Sequence, residues 1–335
     1  MKAAYLETTG APDVLQYGDL PTPEPKPGEV RVRVLAAAVN PIDTYIRAGM
    51  VNMALPKPFI PGCDLAGVVD AVGPGTVRLQ VGDRVWGSNQ GLLGRQGTSA
   101  EYACVGEQWL YPTPDGVPDE QAAACALVGI TAHLGLFECA RLRAGETVFV
   151  NGGTGGVGMM VIQMAKATGA KVVTTVGSFK KAELARDLGA DAVIDYNTED
   201  VMARVKEATA GAGIQVWYET QPPTDLDKTI ECMAPRGRII VMAGRAARPV
   251  FPNGPFYVKG LSLHGFAMFN ATPDEQRVCG ADIAQWLGRG KLKALIGKRL
   301  PLSGAAAGHQ LQEENTLKKS GTLTGKIVIL PTGTS

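Results

Sequence analysis

Histidine is scarce in this sequence, since only three occur among its 335 residues, at positions 133, 264 and 309. They are far apart and lack the spacing of metal-ligand pairs, so we expect structural histidines. The six cysteines, at positions 63, 104, 125, 139, 232 and 279, include no Cys-x-x-Cys pair. This scatter is typical of reduced thiols and argues against a disulfide framework.

Long apolar runs and strong net charge are also missing. No run approaches the roughly 18 apolar residues that a membrane span requires, and the first residues lack the apolar core of a signal peptide. The net charge is only +1, so no global field favours nucleic acid. We therefore expect a cytoplasmic protein whose partners must be inferred from local motifs.

The most informative stretch runs from Thr147 to Ser178. An apolar run leads into the glycine set Gly153-x-Gly155-x-x-Gly158, and apolar residues then recur at helical spacing. Gly169 ends the predicted helix, and three valines begin a second strand. In such a βαβ unit the glycines permit a tight turn, a close approach to a pyrophosphate and close packing of the helix. The N-terminus of the helix then faces the anion, so the stretch predicts a dinucleotide site.

The end of the second strand indicates which dinucleotide binds. An NAD site normally has Asp or Glu there, where the carboxylate binds the ribose hydroxyls. This chain has the segment Gly177-Ser178-Phe179-Lys180-Lys181 instead. A hydroxyl and two ammonium groups suit a 2′-phosphate, which a carboxylate would repel. The segment predicts NADPH, and the alternative is that both lysines belong only to the solvated first turn of a helix.

The chain divides into two kinds of region by its strand and helix patterns. Short strands separated by turns fill the first third, at residues 30–34, 67–72, 84–86 and 101–105, and predict a β-barrel-like domain. After about Gln121 an alanine-rich helix gives way to alternating strands and helices, with further strands at 192–195, 216–219, 238–242 and 261–266, which predicts six parallel strands. A helix at 274–287 and a strand at 325–330 follow. If that strand rejoins the first domain, the active cleft would lie between the domains.

Several motifs together resemble one family. They are the segments 39–49 (VNPIDTYIRAG), 61–67 (PGCDLAG), 81–85 (VGDRV) and 129–132 (GITA), the glycine loop and the terminal 324–326 (TGK). The sequence is similar to the zinc-independent, zeta-crystallin-like quinone oxidoreductases of the medium-chain dehydrogenase/reductase superfamily.

The resemblance implies an α/β architecture of two domains. One is a GroES-like β-barrel catalytic domain at residues 1–123 and 272–335, and the other is a Rossmann NADPH-binding domain at 124–271 with a doubly wound, parallel six-stranded sheet. It also implies quinones or related conjugated carbonyls as acceptors, and a homodimer or homotetramer.

The resemblance also carries residue roles onto this chain. The pyrophosphate loop falls on Thr154, Gly155, Gly156, Val157 and Gly158, and the positions that recognise the 2′-phosphate fall on Gly177, Ser178 and Lys181. Tyr196 matches a position beside the adenosine, and Asn40, Tyr45 and Thr131 match the nicotinamide end. Gly244, Arg245, Phe266, Met268 and Phe269 match the cofactor channel, although aromatic residues after a core strand are often plain packing.

Zinc is the main alternative cofactor, because the superfamily includes zinc alcohol dehydrogenases. Those enzymes have a cysteine where Asn40 stands and Gly-His-Glu where this chain has residues 62–64 (GCD). A catalytic zinc needs three protein ligands. Cys63, Asp43 and Cys125 are a conceivable set, but buried cysteine is the simpler explanation, so we expect no metal.

A metal-free reaction needs only hydrogen-bond donors, because a conjugated acceptor spreads the incoming charge. Our hypothesis is that NADPH passes hydride to the acceptor while the Tyr45 hydroxyl and the Asn40 amide stabilise the developing oxyanion. Asp43 is either a structural carboxylate that anchors its helix or a direct participant in the site.

Two alternatives stay open. The first is reduction of the C=C bond of enones or enals, which uses the same coenzyme geometry. The second is an RNA-binding or structural, crystallin-like role, as found among zeta-crystallin-like relatives. The only basic cluster, at positions 291, 293, 298 and 299, has no interleaved aromatics and fits a solvated surface better.

Overall fold

The computed structural model describes residues 1–318 and 320–331. The strands within these residues are β1 (Lys2–Tyr5), β2 (Gln16–Asp19), β3 (Glu29–Val39), β4 (Asp64–Val72), β5 (Arg84–Gly87), β6 (Tyr102–Gly106), β7 (Leu110–Pro112), β8 (Thr147–Asn151), β9 (Lys171–Val176), β10 (Ala192–Asp195), β11 (Ile214–Glu219), β12 (Met233–Val241), β13 (Ser262–Gly265), β14 (Ile296–Pro301) and β15 (Lys326–Leu330). The α-helices are α1 (Pro41–Arg47), α2 (Asp119–His133), α3 (Gly156–Ala167), α4 (Phe179–Asp187), α5 (Val201–Ala208), α6 (Leu226–Cys232), α7 (Asn253–Val258), α8 (Pro273–Gly288) and α9 (Ala305–Thr316).

These elements form two compact units. One contains residues 1–127 together with the described residues from Thr272 onward, and the other contains residues 128–271. The division falls within α2, four residues after the predicted domain boundary at 123/124. The β-rich unit is called the barrel unit below, and the other the nucleotide unit.

The nucleotide unit contains a six-stranded sheet in the order β10-β9-β8-β11-β12-β13, and its strand pairs are parallel. Strands such as β8 and β9 are apolar and buried on both sides, as expected where helices cover both faces of a parallel sheet. The strand order reverses between β8 and β11, and ligands of such sheets bind outside the carboxyl ends at this point. The predicted six parallel strands are therefore confirmed.

The barrel unit is organised around β3, which pairs antiparallel with β4, β6 and β15. Irregular register along the β3–β4 pair bends these long strands. The core between them is aliphatic, with Val30, Val32, Val34 and Ile327 fully buried. The last strand, β15, thus joins the sheet that contains β3, the possibility that the sequence left open.

Several parts of the fold differ from the sequence-based prediction, among them β12 and β14. β12 begins at Met233, five residues before the predicted Arg238, because a break in register lets Met233 pair with Ile214 ahead of the regular ladder. The amphipathic signal of β14 is weak because much of its length is exposed, and it was not predicted.

The most apolar helical segment is α2 with the π-helical turn that follows it, Leu134–Cys139. By length and composition alone this segment, 119–139, is long enough to cross a membrane, but 78% of its most apolar window is buried inside the structure. A helix that is apolar all round and buried in this way is typical of a protein core.

Candidate active site

The predicted coenzyme residues of the nucleotide unit lie where its parallel strands end. The glycine loop follows β8, the segment Gly177–Lys181 follows β9, and Tyr196 follows β10. The predicted channel residues follow β12 and β13: Gly244, Arg245, Phe266, Met268 and Phe269. Because the carboxyl ends of parallel strands share one edge of a sheet, these residues belong to a single edge.

Two of the three glycines of the motif are closely packed against neighbouring atoms. A Cβ on Gly153 would lie 2.1 Å from the Thr174 hydroxyl, and one on Gly158 would lie 2.2 Å from the carbonyl oxygen of Gly152. Side chains are therefore excluded at both positions. Gly155 is different: it precedes α3, and its Cβ would meet only that same carbonyl, at 3.3 Å. Its backbone is open on the other sides, and the first N–H groups of α3 have no helical acceptor, which suits a pyrophosphate.

The end of β9 lacks an acidic side chain. Ser178 caps α4, its hydroxyl accepting from the backbone N–H of Lys181 at 3.4 Å, and the first turn of α4 contains no carboxylate. A Cβ on Gly177 would lie 2.3 Å from the Tyr196 hydroxyl oxygen, so these two strand ends are in contact. The arrangement leaves cationic and hydroxyl groups where a 2′-phosphate would bind.

Glu219 is a feature of this edge that was not predicted. It ends β11, is 2% exposed, and lies on the wall of a cavity of about 480 Å³ that Asn151, Thr175 and Trp217 also line. Burial raises the pKa of its carboxyl to about 7, against hydrogen bonds from Gln221, Trp217 and Asn151 that favour the ionised form. The only signal in the sequence was an acid at the end of a predicted parallel strand.

Four further predicted residues of this unit are buried or half-buried. Thr131 is buried in α2, and its carbonyl oxygen accepts from the Tyr218 hydroxyl at 2.7 Å. Met268 is also buried, which favours packing at that position, whereas Phe266 and Phe269 are half-buried.

In the barrel unit, Asn40 is the centre of a buried polar cluster. Its Oδ1 accepts from the ammonium of Lys326, and its Nδ2 donates to the Asp64 carboxylate at 2.8 Å. The Lys326 ammonium also donates to the Val39 carbonyl at 3.1 Å, and Asp64 accepts from the backbone N–H of Leu127 at 3.1 Å. The positive charge of Lys326 offsets the cost of burying the Asp64 carboxylate.

Asp43 lies at the start of α1, where its carboxylate accepts from the backbone N–H of Asn40 at 2.7 Å. This is half of a capping box, so the carboxylate anchors the helix. Burial raises its pKa to about 7. Of the two roles considered for Asp43, the observed contact corresponds to the structural one.

The Asn40 amide, predicted as an oxyanion donor, makes its hydrogen bonds within the barrel unit. Its side chain is fully buried, one amide hydrogen donates to Asp64, and the nitrogen also faces the Ala38 carbonyl at 3.4 Å. The amide is therefore engaged within the protein. Tyr45, on the same helix, is half-buried, and its hydroxyl has no hydrogen-bond partner among residues 1–318 and 320–331. Its hydroxyl can therefore still donate a hydrogen bond.

The residues at this position do not fit a catalytic zinc. The cluster contains a buried ammonium group, which repels a divalent cation, and an amide in place of a thiolate. Burial raises the pKa of the Cys63 thiol well above its usual value, which opposes the thiolate that zinc requires. Within the described part of the chain no three His, Cys, Asp or Glu side chains are grouped as metal ligands. The cluster is therefore unsuited to metal catalysis.

Comparison with known families defines the class of the chain. Residues 26–115 match the alcohol dehydrogenase GroES-like domain, and residues 156–281 match the zinc-binding dehydrogenase family. The first match lies within the barrel unit and the second lies mostly within the nucleotide unit, so the chain belongs to the alcohol dehydrogenase class of proteins. The chain differs from a zinc-binding dehydrogenase in the buried polar cluster around Asn40, which does not fit zinc.

Full-length relatives narrow the class to a family. The chain is 37% identical to a quinone oxidoreductase of Pseudomonas aeruginosa and 32% identical to that of Homo sapiens, each over 98% of both chains. The solved structure of Escherichia coli quinone oxidoreductase in complex with NADPH has a TM-score of 0.86 at 27% identity, over 99% of this chain and all of the other. The chain belongs to the quinone oxidoreductase family of the medium-chain dehydrogenases/reductases.

Proposed function

We propose that the chain reduces quinones with NADPH and without a metal. The observation that carries the proposal is the carboxyl edge of the parallel sheet, where an open glycine loop adjoins a strand end with Ser178 and Lys181 and no acid. Similar structures solved with NADPH, from Escherichia coli and from a mycobacterium, support this choice of coenzyme.

Each group of site residues then has a defined role. The glycine loop, residues 154–158, binds the pyrophosphate through backbone N–H groups, and Lys181 with Ser178 binds the 2′-phosphate. When bound, NADPH supplies the hydride. Tyr45 donates a hydrogen bond to the oxygen of the acceptor that becomes negative, and Asp43 and Asn40 hold the helix that carries it. The proton of the quinol comes from water.

Thr131, Tyr196, Gly244, Arg245, Phe266 and Phe269 complete the proposed coenzyme site. Tyr196 is 56% exposed at the end of β10, so a planar base can pack on its ring. The contact between Tyr196 and Gly177 keeps this ring beside the proposed 2′-phosphate position.

Reduction of a C=C bond is the less favoured reaction. The curated relatives that match 98% of the chain are called quinone oxidoreductases. Similar solved structures also include an NAD-dependent alcohol dehydrogenase, with a TM-score of 0.86 at 33% identity, and a 2-haloacrylate reductase, with a TM-score of 0.84 at 29% identity. A steady-state panel of quinones and enones with NADPH and NADH tests the proposal. Quinone turnover that prefers NADPH is expected, and turnover of enones alone, or a preference for NADH, contradicts it.

We also propose a cytoplasmic homo-oligomer, in which two copies pair along β13. That strand is an edge of the six-stranded sheet, and apolar side chains near it are exposed: Val250, Phe251, Tyr257, Val258 and Leu263. Sedimentation of the wild type and of Val258→Asp tests the pairing.

An RNA-binding role gains no support, because Arg299 of the basic cluster pairs with Glu120 at 2.6 Å.

A further inference from the structure

Glu219 is held in one place by three N–H donors. Its Oε1 accepts from the side-chain amide of Asn151 at 2.9 Å and from the backbone N–H of Gln221 at 2.8 Å. Its Oε2 accepts from the indole N–H of Trp217 at 3.3 Å. All of these groups belong to the nucleotide unit, and the carboxyl is turned away from bulk solvent.

Asn151 extends this network to the first turn of the glycine loop. Its Oδ1 accepts from the Thr175 hydroxyl at 2.6 Å, and the Thr175 oxygen accepts from the backbone N–H of Gly152 at 3.0 Å. The carbonyl of Asn151 accepts from the Thr220 hydroxyl at 2.5 Å. Gly152 has a φ of +81°, a left-handed conformation that begins the tight turn. A continuous set of hydrogen bonds therefore runs from Glu219 to the backbone of this turn.

We propose that Glu219 is a positioning residue for the coenzyme, acting through Asn151 and Thr175 on the backbone of Gly152. The inference rests on the proposed function, in which the glycine loop binds the pyrophosphate. It assigns a role in coenzyme binding to a side chain outside the glycine motif and outside the segment that recognises the 2′-phosphate.

The network makes the glycine loop sensitive to pH. Hydrogen bonds to an ionised carboxylate are about twice as strong as those to a neutral group, so the network is tightest when Glu219 is ionised. Because burial raises the pKa of Glu219 to about 7, the strong form is present above pH 7 and is lost as the pH falls below it. The loop should loosen over that range.

Other titratable groups face the same cavity and set the controls. They come from the segment after β10 and from α6: Tyr196, Glu199, Asp200, Asp225, Lys228 and Cys232. Glu199→Gln removes one of these negative charges and leaves the contacts of Glu219 in place. Thr175→Val is the complementary control. It leaves the Glu219 charge in place and removes the hydroxyl that connects Asn151 to the backbone N–H of Gly152.

Hydrogen–deuterium exchange on the full chain without coenzyme tests the network directly. After correction for the intrinsic pH dependence, peptides covering residues 152–158 should exchange about tenfold more slowly at pH 8 than at pH 6 in the wild type. Glu219→Gln and Thr175→Val should abolish the difference, whereas Glu199→Gln should retain it. A difference that persists in Glu219→Gln overturns the inference, and one that persists in Thr175→Val shows a charge effect without positioning and overturns it as well.

Coenzyme binding gives the second readout. NADH is the probe, because the 2′-phosphate of NADPH titrates near pH 6 and would obscure the result. The wild type should bind NADH several-fold more tightly at pH 8 than at pH 6, and Glu219→Gln should show no such change. Identical pH profiles in the two proteins overturn the inference about Glu219 but leave the proposed function in place. If the wild type binds neither NADH nor NADPH at any pH, the proposed function fails instead.

Discussion

The ammonium group of Lys326 donates a hydrogen bond to the Oδ1 of Asn40, although 286 residues separate the two in the chain. The contact joins the last strand of the barrel unit to the start of α1, the helix that carries Tyr45. It also places a positive charge inside a cluster that contains the Asp64 carboxylate. The helix start is therefore fixed by electrostatics and by hydrogen bonds together.

Replacing Lys326 by methionine should strongly destabilise the barrel unit. The change leaves the buried Asp64 carboxylate without its cation and Asn40 without its donor, which costs about 3 kcal/mol of unfolding free energy. Denaturant unfolding measures the loss. Lys298→Met, on the exposed face of β14, is the control and should change the free energy by less than about 0.5 kcal/mol.

The double variant Asp64→Asn with Lys326→Met identifies the cause. Removing the carboxylate together with the ammonium leaves no uncompensated charge, so part of the stability should return. A double variant as unstable as Lys326→Met alone would show that the charge of Asp64 is not the reason.

Lys181→Ala should weaken the binding of NADPH and leave that of NADH unchanged. Loss of an ammonium at a solvent-accessible phosphate site weakens binding by about 1 kcal/mol, which is a rise of five- to tenfold in the KM for NADPH. The KM for NADH should stay the same, because NADH has no 2′-phosphate. Lys180→Ala is the matched control, since Lys180 is exposed and adjacent in sequence. Equal effects of Lys181→Ala on both coenzymes would contradict the assignment.

The parts of the site that the sequence predicts are those encoded locally. The glycine loop and the segment after β9 are defined by spacing within about 30 residues of a βαβ unit. Glu219 and Lys326 are different, because the contact of Glu219 with Asn151 spans 68 residues and that of Lys326 with Asn40 spans 286, and no periodicity in the sequence indicates such contacts. Asn40 was assigned to the nicotinamide end by resemblance and to the oxyanion by hypothesis, whereas its contact with Lys326 depends on a strand at the other end of the chain.

Two glycines of the loop should respond differently to alanine. In Gly158→Ala the new Cβ would lie 2.2 Å from a backbone carbonyl, so the unit must distort and its stability should fall by about 2 kcal/mol. In Gly155→Ala the nearest atom is 3.3 Å away, so the Gly152 carbonyl must shift by only a few tenths of an ångström and stability should fall much less than in Gly158→Ala. If the pyrophosphate lies against Gly155, this variant should still lose most NADPH binding. Calorimetry with thermal unfolding tests both, and normal binding by Gly155→Ala would place the pyrophosphate elsewhere.

His309 should make the barrel unit sensitive to acid. It is buried in α9, and burial, with the nearby Arg47 charge, lowers its pKa to about 3. The unfolded chain binds a proton below pH 6.5 and the folded chain does not, so stability is full above 6.5 and is lost as the pH falls toward 3. The loss is at most about 1.4 kcal/mol per pH unit.

Unfolding midpoints at pH 7.5 and 4.5 test this dependence. His309→Gln should lose less stability between the two values than the wild type does. His264→Gln, at a half-buried position in β13, is the control for a loss of histidine elsewhere. An equal acid loss in His309→Gln and the wild type would contradict the prediction.

Tyr45→Phe tests the proposed chemistry most directly, because it removes one oxygen atom from a half-buried side chain. A donor that bonds the acceptor only as its oxygen becomes negative contributes to kcat, so kcat for quinones should fall about tenfold or more. The KM for NADPH should not change, since Tyr45 is assigned to the acceptor. Tyr17→Phe, on the half-exposed ring of β2, controls for loss of a hydroxyl from the same unit. A kcat unchanged in Tyr45→Phe would mean that a solvent molecule, and not this side chain, donates to the oxyanion.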